Sequence, residues 1–165
     1  MANRFQTAPG RLGEGAYFWT AMEDDHMPLA EDFAKRWAEK RCGQSLKAIV
    51  NVEVEVDDDR ILYLDDPEHH LGLRLLLADA VMEYFGVDSP FKVSRDQVAS
   101  IHPQLFGVIE EYIRLIEQEL GYNLSLVFKC QVPPVNDPLK ELIGLSTCFS
   151  VRDIDCIKDM QMRVI

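Results

Sequence analysis

Leu12-Gly13-Glu14-Gly15-Ala16-Tyr17-Phe18-Trp19 sets two glycines around one residue and runs straight into an aromatic stretch. Ala16 to Trp19 predicts a strand, because aromatic side chains fit a pleated, half-buried surface. Glycine permits close approach of the backbone to a ligand. An exposed Tyr17 with Phe18 beside it can stack on a flat ring. The same residues equally describe a glycine-rich turn that leads into a core strand. The pattern is not the dinucleotide fingerprint, since here the glycines precede a strand instead of opening a helix.

Downstream, Glu23-Asp24-Asp25-His26 is a polar turn, and Pro28 suits the first turn of a helix. Ala30, Phe33, Ala34, Trp37 and Ala38 recur at helical spacing, and Gly43 is the expected stop. Ala48 to Val56 alternates apolar and polar residues and predicts a half-buried strand. Asp57-Asp58-Asp59 turns the chain into a second short extended piece, Arg60 to Leu64, which Asp66-Pro67 punctuates. Residues 68–85 predict a helix with a stripe of Leu71, Leu75, Ala78, Val81 and Met82. A short helix is expected over 94–102 and a longer one over 104–120, with Leu105, Val108, Ile109, Tyr112, Ile113 and Ile116 on one face and Gly121 as its stop. Leu124 to Cys130 reads as a strand. Pro133-Pro134 and Asn136-Asp137-Pro138 read as a rigid loop. Ser146 to Val151 reads as the terminal strand, followed by a helical turn around Ile154 to Met160. Helices inserted between strands that cannot all be neighbours predict an α+β fold, and 165 residues without a linker predict one domain over 1–165.

Composition narrows the function classes. The chain is 47% hydrophobic and 27% charged, enough to bury a core. Its net charge of −11 repels phosphate backbones, which argues against generic nucleic-acid binding. Lys35, Arg36, Lys40 and Arg41 cluster, but Glu31, Asp32 and Glu39 lie among them, as on a solvated helix face. No apolar run reaches membrane-spanning length, and Met1 to Gly10 lacks the apolar stretch of a secretory signal; a cytoplasmic location is the expectation. Cys42, Cys130, Cys148 and Cys156 form no CxxC pair, so no metal site is expected, and they read as reduced thiols.

The glycine-tyrosine segment resembles the Gly-x-Gly-x-Tyr-Phe motif of the ADP-ribosyltransferase superfamily, in its diphtheria-toxin and poly(ADP-ribose) polymerase branch. The helix of Ala30 to Ala38, the strand Ile49 to Val56 with Leu62-Tyr63-Leu64-Asp65-Asp66, and Cys148-Phe149-Ser150-Val151-Arg152-Asp153-Ile154 are similar to elements that follow it in small bacterial members. The resemblance implies a split, curved β-sheet with helical insertions, here at 68–85 and 94–120. It implies NAD as the cofactor-substrate, with Gly13, Gly15, Tyr17 and Phe18 on the nicotinamide side and Tyr17 stacked on the ring. It also implies a His-Gly-Thr strand upstream, whereas the chain begins only a dozen residues before Gly13 and Asn3-Arg4-Phe5 looks like the end of the helix after such a strand. The terminal catalytic carboxylate of the family falls on Cys148, or with a shift on Thr147 or Ser150. A carboxylate there would stabilise the positive charge that develops at the ribose; a thiol, mostly neutral at pH 7, does this poorly.

Two functions therefore stand as expectations. One is an NAD-dependent mono-ADP-ribosyltransferase of bacterial toxin or phage-defence type, with Tyr17 and Cys148 at the catalytic positions. The other is a truncated or degenerate scaffold that binds a protein partner, such as an antitoxin. Weaker candidates are Glu53 and Glu55 as paired carboxylates against a solvated strand edge, Asp57 to Asp59 as a cation site against a plain acidic turn, and Cys148 as a nucleophile against a buried structural thiol. The stripe over 105–116 is core or a docking face.

Overall fold

The glycines do lead into a strand. In the computed structural model, which describes residues 8–42, 48–131 and 146–164 (backbone alone at 40–42, 130, 131 and 146), β1 spans Ala16–Trp19. It is followed by α1 (Met27–Cys42), β2 (Ala48–Val54), β3 (Ile61–Tyr63), α2 (Pro67–Phe85), α3 (Arg95–Ser100), α4 (His102–Leu120), β4 (Leu126–Gln131), β5 (Ser146–Val151) and β6 (Ile157–Val164). This is an α+β fold with two separate sheets. The expectations on Asn3 to Phe5, Gly43, Pro133-Pro134 and Asn136 to Pro138 lie outside the described residues, as do the side chains of Lys40, Arg41, Cys42 and Cys130.

The larger sheet has the order β1-β5-β4-β3. β5 runs antiparallel to both neighbours, and β3 runs parallel to β4. A parallel pair cannot be joined by a hairpin, so the chain crosses over through α2, α3 and α4. The period of two sorts side chains cleanly. Leu62, Leu64, Val127, Cys148 and Trp19 face α2 and α4, where Leu73, Ile109, Tyr112 and Ile113 complete a core. Ile61, Leu126, Phe128, Phe149, Val151 and Phe18 face the other way, onto Val54, Val56, Cys156 and Ile157.

Local signals set the helix ends. The Asp66 carboxylate accepts from the Glu68 N–H at 3.0 Å ahead of Pro67. Ser94 and Gln97 form a reciprocal capping box for α3. Gly121 ends α4 in the left-handed region, φ 75°. Pro103 sits in the first turn of α4, where its missing N–H is not needed.

Two expectations need correction. The segment Ile157–Val164 is a strand, not a helical turn around Ile154 to Met160; only Ile154–Cys156 forms a 3-10 turn, so Ser146–Val151 is not the last strand. β6 pairs with β2 antiparallel as a two-stranded ribbon (Val50 opposite Met162, Val52 opposite Met160). The stripe expected on α2 is also divided. Val81 is buried, but Leu71 and Leu75 are 60% and 67% exposed, and Leu73, Leu76 and Leu77 face the core instead. Among the described residues, no helix is long and apolar enough to cross a membrane.

Candidate functional site

Gly13 and Gly15 bend the chain against a buried ion network. Both have positive φ, 73° and 139°. A Cβ on Gly13 would meet Glu110 Oε2, Ile113 Cδ1 and Arg152 Nη1; one on Gly15 would meet Ser150 Oγ and the Val151 carbonyl oxygen. The close approach that glycine allows is therefore to α4 and β5 of the same chain.

The network centres on Arg152, just past β5, with 2% of its surface exposed. Its two terminal nitrogens donate to the two carboxylate oxygens of Glu110, each at 2.8 Å, a bidentate pair. Arg152 Nη1 also donates to the Glu14 carbonyl at 3.2 Å, and the Glu14 N–H donates to Glu110 Oε2 at 2.7 Å. Glu117 lies 3.8 Å from Arg152 Nε and accepts the Leu124 N–H at 2.9 Å. Arg114, half exposed, reaches both Glu110 and Glu14. Burial pushes the Glu110 carboxyl up, but the Arg152 guanidinium, the Glu14 N–H and Arg114 outweigh it and hold the group below the ordinary glutamate value. Burial likewise opposes the charge on Arg152, and Glu110 more than restores it.

Tyr17 closes the loop from outside. Its hydroxyl accepts from the Leu12 N–H at 2.9 Å and donates to the Gly13 carbonyl at 2.7 Å. Burial pushes its pKa up to about 12, so the phenol stays protonated and is not a base at neutral pH. Leu12 is fully buried. Tyr17→Phe leaves its N–H without that acceptor, and a thermal melt is expected to show a loss of about 1–3 kcal/mol. An unchanged melting temperature would mean that the hydroxyl does not hold the loop.

The candidate residues come together only in part. Tyr17 is the cross-strand partner of Ser150, and Trp19 that of Cys148. Tyr17, Cys148 and Ser150 thus share one face of the sheet. Phe18 points to the opposite face, where its ring lies 5.7 Å from that of Phe149, so Tyr17 and Phe18 do not form one wall. Cys148 is buried in the core beside Trp19, Ile109 and Ile113, and its thiol does not supply a carboxylate. Of the other candidates, Glu53 is exposed opposite Asp159, and Asp58 and Asp59 open an exposed 3-10 turn. Glu23, Asp25 and His26 bring ligand atoms within 4.8 Å of one another, all exposed, an arrangement common without an ion.

Sequence reading did not single out the Arg152–Glu110–Glu117 network. Their phase was informative: Arg152 continues the inward positions of Cys148 and Ser150, and Glu110 and Glu117 lie three and four residues from Ile113 on one side of α4. It also missed an open cleft of about 520 Å3 between the ribbon base and the start of β4. Its walls include Glu55, Asp57, Asp153 and Asp155, with Arg60 stacked 4.2 Å over the Tyr122 ring and Cys156 at the floor. The Cys156 thiol is pushed up by burial and donates to the Asp153 carbonyl, which makes it a poor nucleophile.

A third surface is apolar. Ala48, Val50 and Val52 share one face of the ribbon with Met160, Met162 and Val164. Val50, Met160, Met162 and Val164 are 43–76% exposed. On the reverse face, Asn51 and Arg163 both reach Glu31 of α1. Comparison with protein-family models, with curated proteins and with solved structures finds no match.

Proposed function

We propose that this chain is a protein-binding module, on a scaffold that resembles the ADP-ribosyltransferases but carries no transferase chemistry. The observation behind this reading is the occupied space at Gly13 and Gly15, filled by Glu110, Arg152 and Ser150 of the chain itself. The Tyr17 hydroxyl is bonded within its own loop, and the position that the resemblance assigns to a carboxylate holds buried Cys148. The exposed apolar face of the ribbon is available to a ligand. A two-stranded ribbon is marginal alone, and a contiguous apolar face of this kind marks a contact surface for protein. The chain carries a net charge of −11, so the favoured partner offers apolar side chains on a basic segment.

The 41% exposure of Tyr17, beside Ser150, favours a second reading. In it a nicotinamide ring lies on the outer side of that phenol and the chain is an NAD-dependent mono-ADP-ribosyltransferase of toxin or phage-defence type. One pair of measurements separates the two. Calorimetry with millimolar NAD is expected to give no heat of binding. A synthetic strand peptide alternating valine and lysine is expected to bind the parent chain by fluorescence anisotropy and to lose at least tenfold in affinity to Met160→Asp/Met162→Asp. NAD heat that disappears in Tyr17→Ala would establish the second reading and overturn the first.

A further inference from the structure

Helix α2 is apolar on two opposite sides. Leu73, Leu76, Leu77, Ala80 and Val81 pack into the core. Leu71, Leu75, Ala78 and Met82 follow one another at spacings of four, three and four residues on the outer side, with the two leucines mostly exposed. That spacing is the seam of a coiled coil, with Leu71 and Ala78 at d positions and Leu75 and Met82 at a positions. An outward seam of this kind exposes to water the apolar surface that a partner helix would cover.

The charges beside the seam name the partner. Arg74 precedes Leu75 at a g position, and Asp79 follows Ala78 at an e position. Both are exposed, and neither has an ion-pair partner among the described residues. In a parallel pair of helices, a g residue faces the e residue five positions on in the other helix. Arg74 of one copy then meets Asp79 of the second copy, and the two-fold axis makes the contact twice. An antiparallel pair with the same overlap would instead set Arg74 against Val81 and Asp79 against Gly72, leaving both charges without a complement.

We propose that the outer face of α2 is a self-association surface, through which two copies of this chain pack with their α2 helices parallel. The helix is already folded on α4, with the Tyr112 ring close against Gly72, so association does not bear the cost of forming it. The seam is two heptads long and the contact is at the small end of interfaces, which places the dimer in the weak, concentration-dependent range.

Sedimentation equilibrium of the full chain over tens to hundreds of micromolar tests this. The mass is expected to rise from 18.9 kDa toward twice that value. Leu75→Asp is expected to stay at the lower mass throughout with an unchanged melting temperature, since Leu75 is two-thirds exposed. Arg74→Glu is expected to weaken the dimer roughly tenfold, and Arg74→Glu/Asp79→Arg to restore it, because the reversed pair is again complementary. A parent chain that stays monomeric, or a Leu75→Asp variant that dimerises like the parent, overturns the surface. A single Arg74→Glu that leaves association unchanged overturns the parallel arrangement.

Discussion

Glu110→Ala is expected to destabilise the protein by about 3–5 kcal/mol, a fall in melting temperature of roughly 6–20 °C for a domain of this size. The carboxylate is 3% exposed and Arg152 2% exposed, so removing one charge strands the other away from water. The Glu14 N–H also loses its acceptor. Arg114→Ala is the control. Arg114 also pairs with Glu110, but it is half exposed, and its removal is expected to cost no more than about 1 kcal/mol. The variant Glu110→Leu/Arg152→Met is expected to lose much less than the two single changes added together, because neither member of the bidentate pair is left stranded; the Glu117 carboxylate loses Arg152 but keeps the Leu124 N–H, so part of the loss stays. Additive losses in that double variant would show that the two groups do not act as a pair.

Acid should expose the same network. The Glu110 carboxyl is held below its ordinary value of 4.5 in the fold, so the unfolded chain binds that proton first as pH falls. The contribution is therefore complete above the unfolded value and is lost as pH drops through the folded one. Stability of the parent is expected to fall with pH below about 4.5, and that of Glu110→Ala to fall less steeply over the same window. Parallel curves for the two proteins would locate the acid sensitivity elsewhere.

The reach of the sequence follows from which signals are local. Ala16–Trp19, Met27–Cys42 and Pro67–Phe85 fall close to where aromatic content, helical spacing and the Asp66-Pro67 cap place them. β6 was missed although Met160, Met162 and Val164 alternate with Asp159, Gln161 and Arg163 at strand period; its apolar face is the exposed one, so the alternation does not mark a strand packed on the core. The α2 stripe was misassigned because a helix apolar on two sides has no preferred phase, and only the position of α4 decides which leucines are covered. Gly13 and Gly15 were correctly singled out. What fills the space beside them was not legible, since Glu110 and Arg152 lie about a hundred residues or more away in the chain and reach the turn only through tertiary packing.

Gly15→Ala is therefore the second large effect expected, about 2–6 kcal/mol. A backbone at φ 139° is strained for any residue with a Cβ, by about 1–3 kcal/mol. The added methyl also comes within 2.6 Å of the Val151 carbonyl oxygen and overlaps Ser150 Oγ, and forcing β1 from β5 to make room adds about 1–3 kcal/mol more. Gly121→Ala separates the two contributions. Gly121 has a positive φ of 75° but nothing within 4 Å of its missing Cβ, so it should cost only the backbone part, about 1–2 kcal/mol. Adding Ser150→Gly to Gly15→Ala should recover part of the loss and no more, since the backbone oxygen stays in place. Chemical denaturation of the four proteins reads these differences directly. If Gly15→Ala unfolds no more easily than Gly121→Ala, the turn has room to spare, and the glycine serves a ligand rather than the packing of β1 on β5.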